Sequence, residues 1–323
     1  MLEILQRKSC TLWRLIYNFF FNRPIGCVYM FHMVRPKEAY IPALDVIRVS
    51  PDFFENFLIE HSKKEEFISI DEVPDRIRNG KHRNKPFAVV TFDDGYDDNF
   101  IYAYPILKKL QIPFVIYVSV NLVNDHNPIW NYPLIIERMV RKNDYLKLGN
   151  GIMYSCYTEE EKNNSFNQLK QIYFSMPYRQ IHNEFKRLFG TYLTKDVFPT
   201  NTLTWRQIEQ LSNDPLCTIG AHTMSHCRLI MREKDALSYE MCRSKEILEQ
   251  HIGKQVCHMS YPYGSMTDVS VEASAYAKKI GYITALMSGG GAVREKEKNM
   301  YCIKRVSVNE VLNVKSINER AIN

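Results

Sequence analysis

Two short stretches carry the residue types that hydrolytic chemistry needs. In the first, the apolar, β-branched run Phe87-Ala88-Val89-Val90-Thr91-Phe92 stops abruptly at Asp93-Asp94-Gly95. In the second, Leu216-Cys217-Thr218-Ile219 leads through Gly220-Ala221 into His222-Thr223-Met224-Ser225-His226. Asp-Asp-Gly alone is also ordinary turn chemistry, since Asp and Gly are favoured in turns. The second stretch adds weight. Histidines at this spacing can turn both imidazoles to one point on a helical turn, and two histidines with one carboxylate are a common ligand set for a catalytic divalent ion.

Both stretches read as buried strands ending in polar residues and followed by helical text, the grammar of an α/β fold. Ligands in such folds sit beyond the carboxyl ends of the parallel strands. Asp93, Asp94, His222 and His226 are therefore expected at one mouth. Ile25 to Val34 reads as a first core strand whose exit carries His32, and Phe114 to Val118, Val256 to Ser260, Tyr282 to Leu286 and Ile303 to Val308 read as further strands. Helices are expected after the Ser50-Pro51 cap, up to Leu110 with a bend or late start at Pro105, after the Thr204 cap, from Asp235 to Ile252, and from an Asp268 cap to Ile280. About seven such alternations mean a parallel barrel or a doubly wound sheet.

From about residue 125 to 200 the text turns polar and helical, with helices near Pro133 to Arg141, Glu159 to Phe174 and Arg179 to Phe189. That is too long for a crossover, so it reads as an insertion forming a lid or substrate wall. Trp130, near its start, is either a packing residue or a platform for a sugar ring.

At 323 residues, 45% hydrophobic and 24% charged, the chain has ample material for a core. No Pro/Gly/Ser-rich linker or repeat divides it, so one catalytic domain over 25–323 is expected, preceded by an amphipathic helix within 1–24. That opening helix is too short and too interrupted by Arg14 to span a bilayer; it packs on the domain or rests on a membrane surface. The surplus of 42 Lys+Arg over 36 Asp+Glu is too small to imply nucleic acid. The eight cysteines show no paired spacing and read as small buried hydrophobes. Cys227, beside His226, is read as structural. Together with the lack of a cleavage site, these features favour a cytoplasmic protein, with membrane association as the alternative. Ser288 to Gly291 reads as a flexible loop and lacks the lysine of a phosphate loop.

Thr91-Phe92-Asp93-Asp94-Gly95 followed by His222-Thr223-x-x-His226 resembles the polysaccharide deacetylases of the NodB-homology type (carbohydrate esterase family 4). The likeness runs from about Gly26 to Val308. A third family motif, Arg-x-Pro-Tyr, is matched in part by Ser260-Tyr261-Pro262-Tyr263-Gly264. The resemblance implies a distorted (β/α)7 barrel. It also implies a metal-dependent hydrolase that removes N-acetyl groups from amino-sugar residues of a cell-surface polysaccharide or its precursor.

By the same resemblance, Asp94, His222 and His226 hold the divalent cation, zinc first, with cobalt, nickel or iron also suited to these donors. Asp93 is then the general base and the backbone N–H of Tyr263 the oxyanion donor. The chain is closest to the poly-glucosamine deacetylase branch, where a histidine near the start serves as the acid. No Leu-x-His stands near the end of this chain, which points to His32. Trp205 is expected to wall the substrate groove, although the family's Asp-x-x-x-Trp spacing is absent, and Pro262 to contribute to substrate binding. Ser260 stands where the motif has its arginine. Arg305, on the final strand, is expected to take that arginine's place in the binding site and orient Asp93. An O-acetyl esterase, another amide hydrolase and a non-catalytic glycan-binding domain are the alternatives; the last is disfavoured because both carboxylates and both histidines are present.

Overall fold

The structure is a computed structural model describing residues 24–36, 47–79, 85–123, 132–193, 202–231, 233–295, 297 and 299–309. The expected N-terminal helix and Trp130 lie outside the described residues.

Seven parallel strands close on themselves. They are β1 (Pro24–Phe31), β2 (Phe87–Phe92), β3 (Phe114–Val118), β4 (Cys217–Ala221), β5 (His258–Ser260), β6 (Thr284–Gly290) and β7 (Ile303–Ser307). Each pairs with the next in sequence, and β7 returns to β1 through Tyr29↔Val306 and Met30↔Ser307. The barrel of the two sequence alternatives is thus the one formed. The short strand Val293–Arg294 runs antiparallel along β1, and Glu66–Phe67 lies beside β2.

Closure follows from strands that are apolar on both faces. Tyr29, Phe31, Val90, Phe92, Phe114 and Ile116 pack outward under the helices, whereas Val28, Val89, Val115, Tyr117, Leu286 and Ile303 form a separate cluster within the barrel. Period-two alternation produces that division. Each fully buried large side chain contributes about 1.5–3 kcal/mol of transfer free energy. The interior is tight. A Cβ on Gly220 would lie 2.4 Å from the Tyr117 ring, so only glycine fits opposite that tyrosine.

Among the described residues, no helix is long and apolar enough to cross a membrane. The helix Pro51–Ser62 begins as expected, with Ser50 accepting from Phe53 N–H. The text before Pro105 resolves into a late start: a π-helical turn over Asn99–Ala103 precedes the α-helix Tyr104–Leu110. Two expectations are corrected. Ser270, not Asp268, caps the helix Val271–Lys279, because Asp268 is engaged by Arg228 and Ser265. Ser288 to Gly290 belong to β6 rather than to a loop.

Between β3 and β4, helices Tyr132–Lys142, Glu159–Ser175 and Ile181–Phe189 enclose an apolar cluster of their own, which includes Ile135, Leu169, Tyr173 and Phe185. A hairpin, Tyr145–Lys147 with Met153–Ser155, is set among them. Its three-residue strands are too short to show a period in the sequence.

Candidate active site

Inward-facing positions at the carboxyl ends of the strands supply the polar residues. Asp93 and Asp94 leave β2, His222 leaves β4, Ser260 ends β5 and Arg305 sits on β7. With His32, His226, Tyr261, Tyr263 and Ser288 they meet around a cavity of about 440 Å³; all of these line it except Ser260 and Arg305, which stand behind.

Asp94, His222 and His226 are buried and offer ligand atoms within 4.8 Å of one another. Asp94 Oδ1 lies 3.0 Å from His226 Nε2 and 3.4 Å from His222 Nε2. Yet Oδ1 makes no hydrogen bond among the described residues, so it faces the nitrogens without a well-directed N–H between them. Donors about 2.0–2.2 Å from a shared tetrahedral cation stand about 3.4 Å apart. The tautomer agrees. His222 Nδ1 is 2.9 Å from the Ser260 carbonyl oxygen, which can only accept, so Nδ1 carries a proton and the neutral ring presents its Nε2 lone pair to the cluster. These residues fit a divalent cation.

The two histidines do not converge on a helical turn. Residues 222–228 form an irregular segment in which Thr223 (φ 67°) and His226 (φ 51°) adopt left-handed backbone. Asp94 (φ 74°) and Tyr263 (φ 61°) do the same. Four left-handed non-glycine residues around one cavity mark a backbone strained where ligands are presented. Cys227 stays outside the cluster, its thiol kept neutral by burial.

Asp93 is fixed from behind. Arg305 donates from Nη1 to Oδ1 at 2.8 Å and from Nη2 to Oδ2 at 2.6 Å. Ser260 Oγ donates to Oδ1 at 3.0 Å while lying 2.7 Å from His222 Nδ1, so one hydroxyl ties the two residues together. Burial opposes the charge on Asp93, but Arg305 and His222 outweigh it and hold its pKa below the ordinary carboxylate value. Burial likewise opposes the charge on Asp94, and His226 and His222 hold its pKa well below that value. At His32 burial wins over the pull of Asp94 and Asp93, and its pKa falls. The backbone that follows that imidazole is clamped. Asn99 Nδ2 donates to the His32 carbonyl at 2.8 Å, and Asp98 Oδ1 accepts from Val34 N–H at 3.2 Å.

In the Pro262-Tyr263-Gly264 turn, Gly264 (φ 58°) lies so close to Ser288 N that an added Cβ would approach to 2.6 Å. The turn presents the Tyr263 ring to the cavity, edge-on to His226 at 5.0 Å, and the Tyr263 N–H has no acceptor among the described residues.

Three expectations about the groove are corrected. Trp205 does not line the cavity; its indole stacks on His251 with centroids 3.7 Å apart, because it opens a helix packed on the outer layer. Pro262 is buried in its turn and does not line this cavity. Arg305 does pair with Asp93 as expected, but from a wholly buried position behind it and not as a substrate-binding residue. The cavity's outer wall is instead Phe166, Lys170 and Phe174 of one helix, with Pro133. Their spacing at i, i+4 and i+8 was visible in the sequence, but nothing there aimed that face at the barrel. In the sequence Ser260 shows only as a missing arginine and not as a bridge, and Asn99 carries no signal of contact with His32.

The sequence model of the polysaccharide deacetylase family matches residues 80–150 and 180–285, spanning both the Asp-Asp and the His-x-x-x-His segments. The chain belongs to the polysaccharide deacetylase family. It is a hydrolase of the carbohydrate deacetylase type. No curated protein sequence matches it closely. Among solved structures, deacetylase PplD of Streptococcus pyogenes in complex with acetate is similar at TM-score 0.62 and 16% identity, covering 93% of this chain and 99% of its own. IcaB from Ammonifex degensii is similar at TM-score 0.58 and 17% identity, with 89% and 93% covered. The BpsB deacetylase domain from Bordetella bronchiseptica follows at 0.52 and 15%, with 88% and 95% covered. At these identities the likeness is one of fold, and it matches the seven-stranded barrel.

Proposed function

We propose that this deacetylase removes N-acetyl groups from amino-sugar residues of a polysaccharide or its precursor, with a divalent cation, zinc first, held by Asp94, His222 and His226. The observation that carries this reading is the division between two adjacent carboxylates: Asp94 converges with the histidines, whereas Asp93 is bound by Arg305 and left out of the cluster.

Amide hydrolysis needs an activated water, stabilisation of the tetrahedral oxyanion and a proton for the leaving amine. A divalent cation in the cluster supplies Lewis acidity, bringing water's pKa toward neutrality and polarising the carbonyl. Asp93 takes the water's proton. Its Oδ1 already accepts from Arg305 and Ser260, but Oδ2 accepts from Arg305 alone, so Oδ2 keeps a lone pair for the water. The Tyr263 N–H donates to the developing oxyanion. His32 protonates the departing nitrogen; its lowered pKa makes its conjugate acid a stronger donor. The acetate in the similar S. pyogenes deacetylase structure is the small product such a reaction releases.

Acetate release from N-acetylglucosamine oligomers, compared with an Asp93→Asn control, tests the reading. Release that the control lacks supports it. Release confined to O-acetylated glycans would change the bond cleaved, and none from either class would favour a binding domain.

A further inference from the structure

The helix Glu159–Ser175 turns one face to the cavity, and on it Phe166, Lys170 and Phe174 stand at successive i+4 positions. Lys170 holds its Nζ 4.9 Å from the centroid of the Phe166 ring, over the cavity wall. The other charged side chains around the site named here have partners among the described residues. Asp93 has Arg305, Asp94 has two histidines, and Arg228, which covers the Phe174 ring, has Asp268. Lys162, on the same helix, faces Glu159. Lys170 alone among these makes no ion pair or hydrogen bond with any described residue. It is half-buried, so its charge is partly stripped of water, and a phenyl face satisfies an ammonium less well than a charge-assisted hydrogen bond does.

A neutral N-acetylhexosamine oligomer offers this ammonium only hydroxyls and amides. We propose that the deacetylase's substrate carries an anionic oxygen substituent, a carboxylate or a phosphate, beside the N-acetyl sugar, and that Lys170 pairs with it. This rests on the deacetylase reading of the same cavity and names the substrate's charge class. A partly desolvated ion pair at about 4 Å raises affinity about tenfold or more over a neutral counterpart.

The test separates binding from turnover. In the Asp93→Asn background, affinity is measured by calorimetry for N-acetylglucosamine 1-phosphate, for a disaccharide of glucuronate and N-acetylglucosamine, and for neutral N-acetylglucosamine and its disaccharide. About tenfold tighter binding of either anionic ligand is expected, and which one shows it distinguishes phosphate from carboxylate. Adding Lys170→Gln should reduce that ratio to about one, whereas Lys170→Arg should keep it. Equal affinity for all ligands overturns the proposal. So does a preference that survives Lys170→Gln, which would belong to the cation instead. Acetate release by the unmodified enzyme is scored separately. An anion preference with no release from any glycan would remove the deacetylase reading and leave the Lys170 pairing standing, while release with equal KM for charged and neutral substrates would remove the pairing alone.

Discussion

Arg305, on the last barrel strand, grips both oxygens of Asp93, 212 residues earlier in the chain, and the arginine has no solvent exposure. A planar fork on a planar carboxylate fixes orientation as well as charge, which lysine cannot do. Asp93's ionised form contributes stability above the ordinary carboxylate range, and that contribution fades as pH falls through its depressed pKa. Arg305→Ala should raise the Asp93 pKa, move the acid limb of the kcat/KM profile to higher pH, and cost about 3–5 kcal/mol of stability. Arg305→Lys should keep more stability but lose kcat. Urea midpoints and pH–rate profiles check both, and full activity of the alanine variant with an unshifted profile would refute Arg305 as the residue that orients Asp93.

The cation cluster makes its own prediction. Added zinc at about 100 times its dissociation constant should stabilise the protein by about 2.7 kcal/mol, read as a rise in Tm. His226→Ala or Asp94→Asn should abolish both that rise and acetate release. A chelator should remove activity from the unmodified enzyme, with recovery on adding the metal.

Asp98 and Asn99 hold the backbone from the His32 carbonyl to the Val34 N–H, so their loss should act through that imidazole. Asn99→Ala should lower kcat about tenfold or more with a smaller change in KM, since a misplaced proton donor harms the chemical step before binding. Equal loss in both constants would point to a disturbed pocket instead.

Burial pushes Asp98 up to about 7. A carboxyl that binds its proton more tightly when folded stabilises the fold at low pH, and that stability declines as pH rises from the unfolded value near 4 toward 7. Asp98→Asn keeps an acceptor for Val34 N–H and removes the titration. The difference in unfolding free energy between the two proteins should therefore shift in favour of the asparagine variant with rising pH, by at most about 4 kcal/mol. A difference that does not change between about pH 4 and pH 8, the range spanning both pKa values, would contradict it.

Trp205 and Phe174 should behave oppositely. Trp205→Phe should leave KM within about twofold, because the indole packs on His251 away from the cavity. Phe174→Ala should raise KM several-fold by opening the outer wall. Steady-state kinetics on one oligomeric substrate compare the two.

The sequence alone determined what is encoded over short range. Strand runs such as Phe87 to Phe92, the Ser50 and Thr204 caps, and the abrupt polar endings at Asp93-Asp94 and His222 are local patterns, and β-branched periodicity with turn chemistry suffices to place them. Only the tertiary structure decided which distant residues meet. Arg305 reaches Asp93 because β7 closes beside β1, putting both side chains inside one barrel, and Ser260 bridges Asp93 to His222 because β5 ends at the same level as β4. Trp205 misses the cavity, and Lys170 with its phenylalanines lines it, for a matching reason. A helix's pattern says which face is apolar but not toward what the helix turns, and that is settled by packing across the barrel mouth, which no local window of sequence contains.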